Sequence, residues 1–308
     1  MKLLLEILTS GADYLAKRGI EDPRLNMEHL LAHTLGCRRL DLYLRFNEML
    51  DESRLVPLRA LLKRRGEGEP LQHLLGTVEF HGHEFISDSR ALVPRPETEF
   101  LVSLVTERFS RDKPPGRVLD MGAGGGCIGL SLAKAWPESE ITLADISEDA
   151  LELARLNAQR LGVQPKFIRS DLFEKVSGRF DIIVANLPYI PWAERGSLQR
   201  EVLRDPAGAL FGGATGLEIV GRFIPESPIH LADRGILALE LHHDQAVRVK
   251  ELLQREGFAD IESAPDLAGI ERFVFARKSP AQELQISASQ CNGSATPISD
   301  PPAMNQEP

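Results

Sequence analysis

Hydrophobic side chains in the first part of the chain recur every three or four positions, for example between Leu4 and Leu8, which is the spacing of one helix face. Asp22-Pro23 is a good helix start, with proline at the first helical position, and Gly36 is a good stop. Residues 1–75 are therefore predicted to form a bundle of four or five short helices. One of these helices is predicted from Asp51 to about Gly66.

The helical spacing then gives way to a strand pattern. Apolar residues on both sides of Gly82, from Val78 to Ile86, predict a short hairpin. A proline-rich connector, Leu92–Glu99, follows the hairpin, and a helix is predicted at 101–109. We assign residues 76–96 to this hairpin and connector.

From Arg117 onward, short apolar runs alternate with helical patterns, which is typical of a mostly parallel, Rossmann-like sheet of seven strands with helices on both faces. The strands are predicted at 117–121, 140–145, 166–170, 180–185, 235–241, 258–263 and 271–277. Helices are predicted at about 127–135, 148–161, 216–232 and 244–256. Residues 278–308 are rich in Ser, Pro and Gln and poor in apolar residues, so we expect a disordered tail.

Composition and charge narrow the possible partners. The net charge is −9 and no segment is strongly basic, which argues against nucleic acid as a direct partner. No apolar run reaches the ~18 residues needed to cross a bilayer, and Glu6 interrupts the only stretch that resembles a signal peptide. Three scattered cysteines fit a reducing cytoplasm. His29 and His33 lack the H-E-x-x-H order, and we expect no metal.

A glycine-rich loop separates the first strand of the alternating region from its helix. Gly124, Gly126 and Gly129 satisfy G-x-G-x-x-G, the dinucleotide pattern, but any glycine-dense loop can do so by chance. The alternative pattern starts at Asp120 and continues through Gly122, Gly124 and Gly126. An acid before alternating glycines is typical of class I methyltransferases that bind S-adenosylmethionine. The acid suits this cationic ligand and would repel a pyrophosphate.

Acidic residues also follow the next two strands. Asp145 ends the second strand, where a carboxylate can accept both ribose hydroxyls, although it could instead cap the following helix. Asp171 and Leu172 follow the third strand, where the carboxylate would meet the adenine amine and the leucine its ring. The alternative for Asp171 is a turn residue.

Asn186 ends the fourth strand and opens the sequence Asn-Leu-Pro-Tyr. Its side-chain carbonyl and the main-chain carbonyl of Leu187 are two neighbouring acceptors, which match the two N–H bonds of a planar NH2 group. Tyr189 offers a flat face to such a group, and Pro188 holds the acceptors still because its φ is fixed. The predicted substrate is therefore a planar amine or amide nitrogen, with no general base evident.

Together these motifs resemble the HemK/PrmC family, the N5-glutamine methyltransferases of peptide chain release factors. The similarity covers roughly residues 3–277. Besides the loop, Asp145 and the Asn186 motif, it is carried by Gly68–Gly76, Val93–Glu99 and the segment from Asp205 to Leu217. The proline-arginine connector at Val93–Glu99 is quite specific to these glutamine methyltransferases.

The resemblance implies a class I methyltransferase domain at 97–277 and a helical domain at 1–75 that recognises the release factor. The substrate would be the glutamine of a Gly-Gly-Gln loop, held by Asn186, Leu187, Pro188 and Tyr189, of which Asn186, Pro188 and Tyr189 are the expected catalytic residues. The expected cofactor contacts are Asp120, Gly122, Ala123, Gly124, Gly125, Gly126, Asp145, Asp171, Leu172, Asn186 and Arg95. We expect a monomer.

Two departures from the family leave alternatives open. Leu187 replaces the usual proline, and His242-His243 follow Leu241 where a glycine is usual. Asn-Leu-Pro-Tyr also resembles the motif of rRNA adenine dimethyltransferases. The alternatives are a glutamine methyltransferase acting on a ribosomal protein, an N6-adenine methyltransferase acting on nucleic acid, and a scaffold that retains the fold without catalysis.

Overall fold

The computed structural model describes residues 1–109 and 113–279. The tail predicted to be disordered, 278–308, lies outside the described residues apart from its first two positions. Within the described residues, no helix combines the length and apolar character needed to cross a membrane.

The N-terminal part is a helical bundle, as the spacing predicts. It contains α1 (Leu4–Lys17), α2 (Pro23–Leu35), α3 (Glu52–Gly66) and α4 (Leu71–Leu75), with a 3-10 turn at Arg39–Leu44 and a pair of two-residue antiparallel strands, β1 (Lys2–Leu3) and β2 (Met49–Leu50). Asp51 begins α3 by accepting a hydrogen bond from the Arg54 N–H at 3.2 Å. Gly36 ends α2 with φ +62°, a conformation that suits glycine.

The expected hairpin is present and leads into a helix that is longer than expected. Strands β3 (Thr77–Phe80) and β4 (His83–Ile86) pair antiparallel. Helix α5 spans Pro96–Glu107, so the predicted start at residue 101 is wrong by five residues. Pro96 occupies the first helical position, and Glu97 with Glu99 places negative charge in the first turn, where the helix dipole favours it. This earlier start brings Thr98 into the helix.

The remaining elements include the predicted seven-stranded, mostly parallel sheet, and β9 and β10 form a separate two-stranded sheet. In chain order they are β5 (Arg117–Met121), α6 (Cys127–Ala135), β6 (Glu140–Asp145), α7 (Glu148–Leu161), β7 (Lys166–Arg169), β8 (Phe180–Asn186), β9 (Ile190–Pro191), α8 (Ala207–Leu210), β10 (Phe211–Gly213), α9 (Glu218–His230), β11 (Leu231–Glu240), α10 (Ala246–Arg255), β12 (Phe258–Pro265) and β13 (Glu271–Lys278). The strand order of the seven-stranded sheet is β12-β13-β11-β8-β5-β6-β7, and within this sheet β13 runs opposite to the others, pairing antiparallel with both β11 and β12.

Both faces of this sheet are buried. Along β8, Ile182 and Val184 belong to one hydrophobic core, whereas Ile183 and Ala185 belong to the core on the opposite face. This alternation is the two-residue period of a strand. Because helices cover both faces, the carboxyl edge of the parallel strands is the place where a ligand can approach.

The segment between β8 and α9 joins the two parts of the chain, and its structure was not predicted. It contains β9 paired in parallel with β10, two 3-10 turns at Trp192–Ser197 and Val202–Arg204, and α8. Glu201 forms an ion pair with Arg65 of α3, and the Arg65 side chain is only 5% exposed. The Gln199 amide donates to Glu21 at 2.9 Å. The helical bundle is therefore attached to the same segment that follows the Asn186 motif.

Candidate active site

A cavity of about 500 Å³ opens at the carboxyl edge of the sheet. Its floor includes Met121 and Asn186, at the ends of β5 and β8. Its rim is built from residues 90–92, from residues 206–209 and from two side chains of α9. The volume falls within the range of small-molecule sites, which is roughly 300 to 1,000 Å³.

The glycine loop lies between β5 and α6, as predicted. Gly122, Gly124 and Gly126 have φ values of +72°, +54° and +87°, which glycine adopts without steric cost. Gly122 and Gly124 line the cavity, and a Cβ at Gly122 would lie 2.9 Å from Cδ2 of Leu187. The other three loop residues predicted as cofactor contacts, Ala123, Gly125 and Gly126, are not among the residues that line the cavity.

Asp145 lines the cavity at the end of β6. Its Oδ2 accepts the Gly124 N–H at 2.8 Å and its Oδ1 accepts the Ser147 N–H at 2.8 Å. Burial raises its pKa above the ordinary value. A carboxylate oxygen can accept more than one hydrogen bond, so Asp145 can fix the glycine loop and still accept ligand hydroxyls.

Asp120 lies under the loop and does not line the cavity. It is fully buried, and its Oδ2 accepts the Gly129 N–H of α6 at 2.8 Å. Among the described residues its Oδ1 has no hydrogen-bond partner. Burial, together with the nearby Asp145 carboxylate, raises the pKa of Asp120 to about 7. Asp120 therefore holds the start of α6 beneath the loop, and its contact with the cofactor stays a prediction.

The segment after β7 contributes the third side of the cavity. Ser170, Asp171 and Leu172 all line it. Leu172 has φ +45°, a strained conformation for a residue with a side chain, which costs on the order of 1 kcal/mol. The Asp171 carboxylate accepts from Arg222 of α9 at 2.9 Å. Arg222 also lines the cavity, and no motif in the sequence indicated it.

Arg95 lies away from the cavity lining. Its guanidinium forms an ion pair with the buried Asp205 at 2.7 Å, and Asp205 also accepts the Val93 N–H at 3.3 Å. Burial raises the pKa of Asp205 to about 6. The pair ties the connector to the segment that begins at Pro206, so it joins two parts of the cavity rim. The arginines that line the cavity are Arg90 and Arg222. Contact between Arg95 and a cofactor stays a prediction.

The Asn186 motif forms the wall of the cavity opposite Asp145. Asn186, Leu187 and Pro188 line the cavity, whereas Tyr189 lies behind them. The Leu187 side chain is 6% exposed and packs against the glycine loop. The two predicted halves of the site, the glycine loop and the Asn-Leu-Pro-Tyr motif, are therefore in direct contact.

Buried polar side chains hold this motif from behind. Asn186 donates its amide N–H to Thr98 Oγ1 at 3.0 Å, and Thr98 donates its hydroxyl to Glu240 Oε2 at 2.7 Å. Tyr189 donates its hydroxyl to Glu240 Oε1 at 3.4 Å, and Gln245 donates to the Tyr189 carbonyl at 3.0 Å. The sequence motifs did not indicate Thr98, Glu240 or Gln245 as site residues. Thr98 does lie inside the conspicuous proline-arginine connector.

Two glycines allow backbone to pack directly on the motif. A Cβ at Gly212 would collide with the Pro188 carbonyl, and one at Gly216 would collide with the Tyr189 carbonyl. Strand β10 and the loop that follows it can therefore approach the motif only because these two residues lack side chains. Together with Gln245, they fix the main-chain carbonyls of residues 188 and 189.

Comparison with known proteins agrees with this arrangement. Residues 6–76 match the family model described as the PrmC N-terminal domain, and residues 96–213 match the methyltransferase small domain. A release factor glutamine methyltransferase from Deinococcus radiodurans is 40% identical over 275 residues, which cover 89% of this chain and 98% of the relative. The chain belongs to the release factor glutamine methyltransferase family. The resemblance inferred from the sequence motifs is confirmed.

The chain is also similar to a second curated relative and to a solved structure. The release factor glutamine methyltransferase of Geobacter sulfurreducens is also 40% identical, over 88% of this chain and 95% of the relative. Among solved structures, a protein-(glutamine-N5) methyltransferase described as release factor-specific, from Alicyclobacillus acidocaldarius, is 30% identical. That match covers 61% of this chain and 95% of that one, with a TM-score of 0.38.

As a methyltransferase of this family, the protein is an enzyme that uses S-adenosylmethionine. The cavity fits this cofactor. Gly122 and Gly124 leave space beside the loop, and Asp145 and Asp171 bring carboxylates to the lining. Contact between Asp145 and the ribose hydroxyls stays a prediction. The family assignment decides for S-adenosylmethionine over the dinucleotide alternative, and the predicted class I fold is confirmed.

Proposed function

We propose that the protein transfers a methyl group from S-adenosylmethionine to the side-chain amide nitrogen, N5, of the glutamine in the Gly-Gly-Gln loop of peptide chain release factors. The observation that carries the proposal is the position of Asn186 and Leu187 in the cavity wall, directly against the glycine loop. The family relatives named for this activity, which match nearly the whole chain, support the same substrate.

Residues of the cavity wall can hold a primary amide in a reactive geometry. The side-chain carbonyl of Asn186 and the main-chain carbonyl of Leu187 accept the two N–H bonds of the glutamine NH2. Pro188 fixes the backbone that carries these acceptors, and the Tyr189 side chain packs behind them. When bound, the cofactor supplies an electrophilic methyl group on a sulfonium ion.

An amide nitrogen is a weak nucleophile because its lone pair is delocalised, so positioning supplies much of the rate. The N–C bond forms as the C–S bond breaks, and the nitrogen then loses one proton to water. That proton becomes acidic only as the methyl group arrives, so a strong general base is unnecessary. Asn186 and Leu187 stabilise the developing positive charge on the N–H bonds because both present carbonyl oxygens to it.

The bundle formed by residues 1–75 is proposed to recognise the body of the release factor. The contacts of Arg65 and Glu21 with the segment after the Asn186 motif support this role, because they fix the bundle close to the site. We further propose that the enzyme acts as a monomer in the cytoplasm. The acidic net charge favours a protein substrate over nucleic acid as its direct partner.

Methyl transfer from labelled S-adenosylmethionine tests the proposal. Label should enter purified release factor, and it should be absent when the glutamine of the Gly-Gly-Gln loop is replaced by alanine. Ribosomal proteins, rRNA and DNA serve as competing acceptors in parallel reactions. Label retained by the glutamine-to-alanine release factor, or preferential labelling of another acceptor, would overturn the assignment in favour of a different substrate.

A further inference from the structure

A buried hydrogen-bond relay runs behind the substrate side of the cavity, from Asn186 through Thr98 to Glu240. Asn186 and Glu240 lie opposite each other at the ends of the paired strands β8 and β11. Thr98 reaches them from α5 and is 5% exposed, and Glu240 is 3% exposed. The three residues belong to three different elements, so the relay is assembled only by the complete fold.

The ionised Glu240 carboxylate decides which group donates and which accepts in each hydrogen bond of the relay. An ionised carboxylate has no proton and can only accept, so Thr98 must donate its single hydroxyl proton to Glu240. The Thr98 oxygen is then available only as an acceptor towards Asn186. Asn186 must therefore meet it with the NH2 side of its amide, and the Asn186 Nδ2 atom lies 3.0 Å from Thr98 Oγ1. The carbonyl oxygen of Asn186 is thereby turned away from Thr98 and left for the substrate.

We propose that Thr98 and ionised Glu240 are positioning residues that select the carbonyl edge of Asn186 for the substrate nitrogen. This inference rests on the proposed function, since a glutamine NH2 needs acceptors. Without the relay, the Asn186 amide can turn over and present its own NH2 group to the substrate NH2. Two donors then face each other, which removes the hydrogen bond and leaves buried polar groups unpaired.

The protonation state of Glu240 sets the polarity of the relay. Burial and, to a smaller extent, the nearby Glu97 of α5 raise the pKa of Glu240, whereas the hydrogen bonds from Thr98 and Tyr189 and the charge of Arg272 on β13 lower it. The net result is a pKa of about 7. Above pH 7 the carboxylate is mostly ionised and accepts from Thr98. Below pH 7 it is mostly protonated and can donate to Thr98, which frees the Thr98 proton to turn towards Asn186.

The turnover number should therefore fall as pH decreases through about 7. Roughly one tenth of Glu240 is ionised at pH 6 and roughly nine tenths at pH 8, given a pKa of about 7. Glu240→Gln should remove this dependence, because its side-chain carbonyl accepts from Thr98 at every pH while its NH2 can face the Tyr189 oxygen. If the turnover number of Glu240→Gln still falls below pH 7, the ionisation belongs to another group, and the proposed role of Glu240 is overturned.

Thr98→Val tests the relay itself, because valine keeps the shape of threonine and removes the hydroxyl. We expect the turnover number to drop about tenfold or more, while the dissociation constant for S-adenosylmethionine changes less than about twofold. Thr98→Ser should restore most of the rate. Thr106→Val is the matched control, because Thr106 lies on the same helix and its hydroxyl bonds, among the residues that the structure describes, to the Ser103 carbonyl alone. It should behave as the parent enzyme.

Binding of a Gly-Gly-Gln peptide in the presence of S-adenosylhomocysteine separates failure of the relay from failure of the proposed function. Calorimetry should show peptide binding to the parent enzyme and about tenfold weaker binding to Thr98→Val. Equal binding and equal turnover by both proteins would overturn the relay. If the parent enzyme neither binds nor methylates this peptide, the proposed substrate is wrong, and the relay is tested with whichever acceptor becomes labelled.

Discussion

The two halves of the active site are held in different ways. On the cofactor side, carboxylates accept backbone N–H groups close in sequence: Asp120 bonds a residue 9 positions away and Asp145 one 21 positions away. On the substrate side, the partners are side chains far along the chain. The bond from Asn186 spans 88 positions, and those that hold Tyr189 span 51 and 56.

The cofactor half of the site can therefore be built from a local part of the chain, whereas the substrate half needs distant parts of the fold. The glycine loop is shaped by local backbone conformation, so a strand, a turn and a helix suffice to build it. The Asn-Leu-Pro-Tyr segment lacks such local support, and its geometry depends on α5, β11 and the loop after β10. Changes on the substrate side should therefore alter the rate, whereas changes on the cofactor side should alter the affinity for the cofactor.

Asn186→Ala should have the largest effect and tests this division directly. We expect the turnover number to fall on the order of 10²- to 10³-fold, which is the loss typical of removing one preorganised polar group from an active site. Affinity for S-adenosylmethionine, measured by calorimetry, should remain within a factor of about three, because Asp145 and the glycine loop are untouched. A loss of cofactor affinity as large as the loss of rate would contradict the separation of the two halves.

Asp145→Ala should show the opposite pattern. Loss of a charged acceptor for the ribose hydroxyls is expected to raise the dissociation constant for S-adenosylmethionine about 10- to 100-fold, which corresponds to roughly 1.5–3 kcal/mol. The turnover number at saturating cofactor should fall much less. Part of the change comes from the loop, since Gly124 and Ser147 also lose an acceptor for their N–H groups.

Asp149→Ala is the matched control for this experiment, because Asp149 is an exposed carboxylate in the first turn of the neighbouring helix α7. Its cofactor affinity and rate should match those of the parent enzyme. A similar affinity for the parent enzyme and Asp145→Ala would show that the ribose contact predicted for Asp145 is wrong.

The same contrast explains which features could be predicted from the sequence. The acid-glycine loop and Asp145 are recognisable because short spacing encodes their geometry. Thr98 was missed as a site residue because the helix was predicted to start after it, and Glu240 because a single acid at a strand end carries no spacing signal. Arg95 lies in a recognisable connector, but its partner Asp205 is 110 positions away, and only the tertiary structure brings the two together.

The structure of the segment between β8 and α9 could not be predicted, because it too depends on contacts with distant parts of the chain. Its two-residue strand, its 3-10 turns and α8, which has four residues, are too short to produce a periodic pattern. They are stabilised by contacts with other parts of the chain, such as the ion pair between Glu201 and Arg65. The contact of Leu187 with Gly122 was missed for the same reason, because it joins the ends of two separate strands.

Leu187→Pro should have the smallest effect. It tests whether residue 187, which lies in the substrate motif, also supports the cofactor loop. The main-chain carbonyl that is proposed to accept the glutamine N–H remains in proline, so the turnover number should change less than about threefold. The leucine side chain, however, packs against Gly122 of the cofactor loop. Its replacement by the smaller proline ring is expected to shift cofactor affinity more than rate, measured by calorimetry and by methyl transfer. A large fall in rate with unchanged affinity would show that residue 187 acts through its side chain on the substrate.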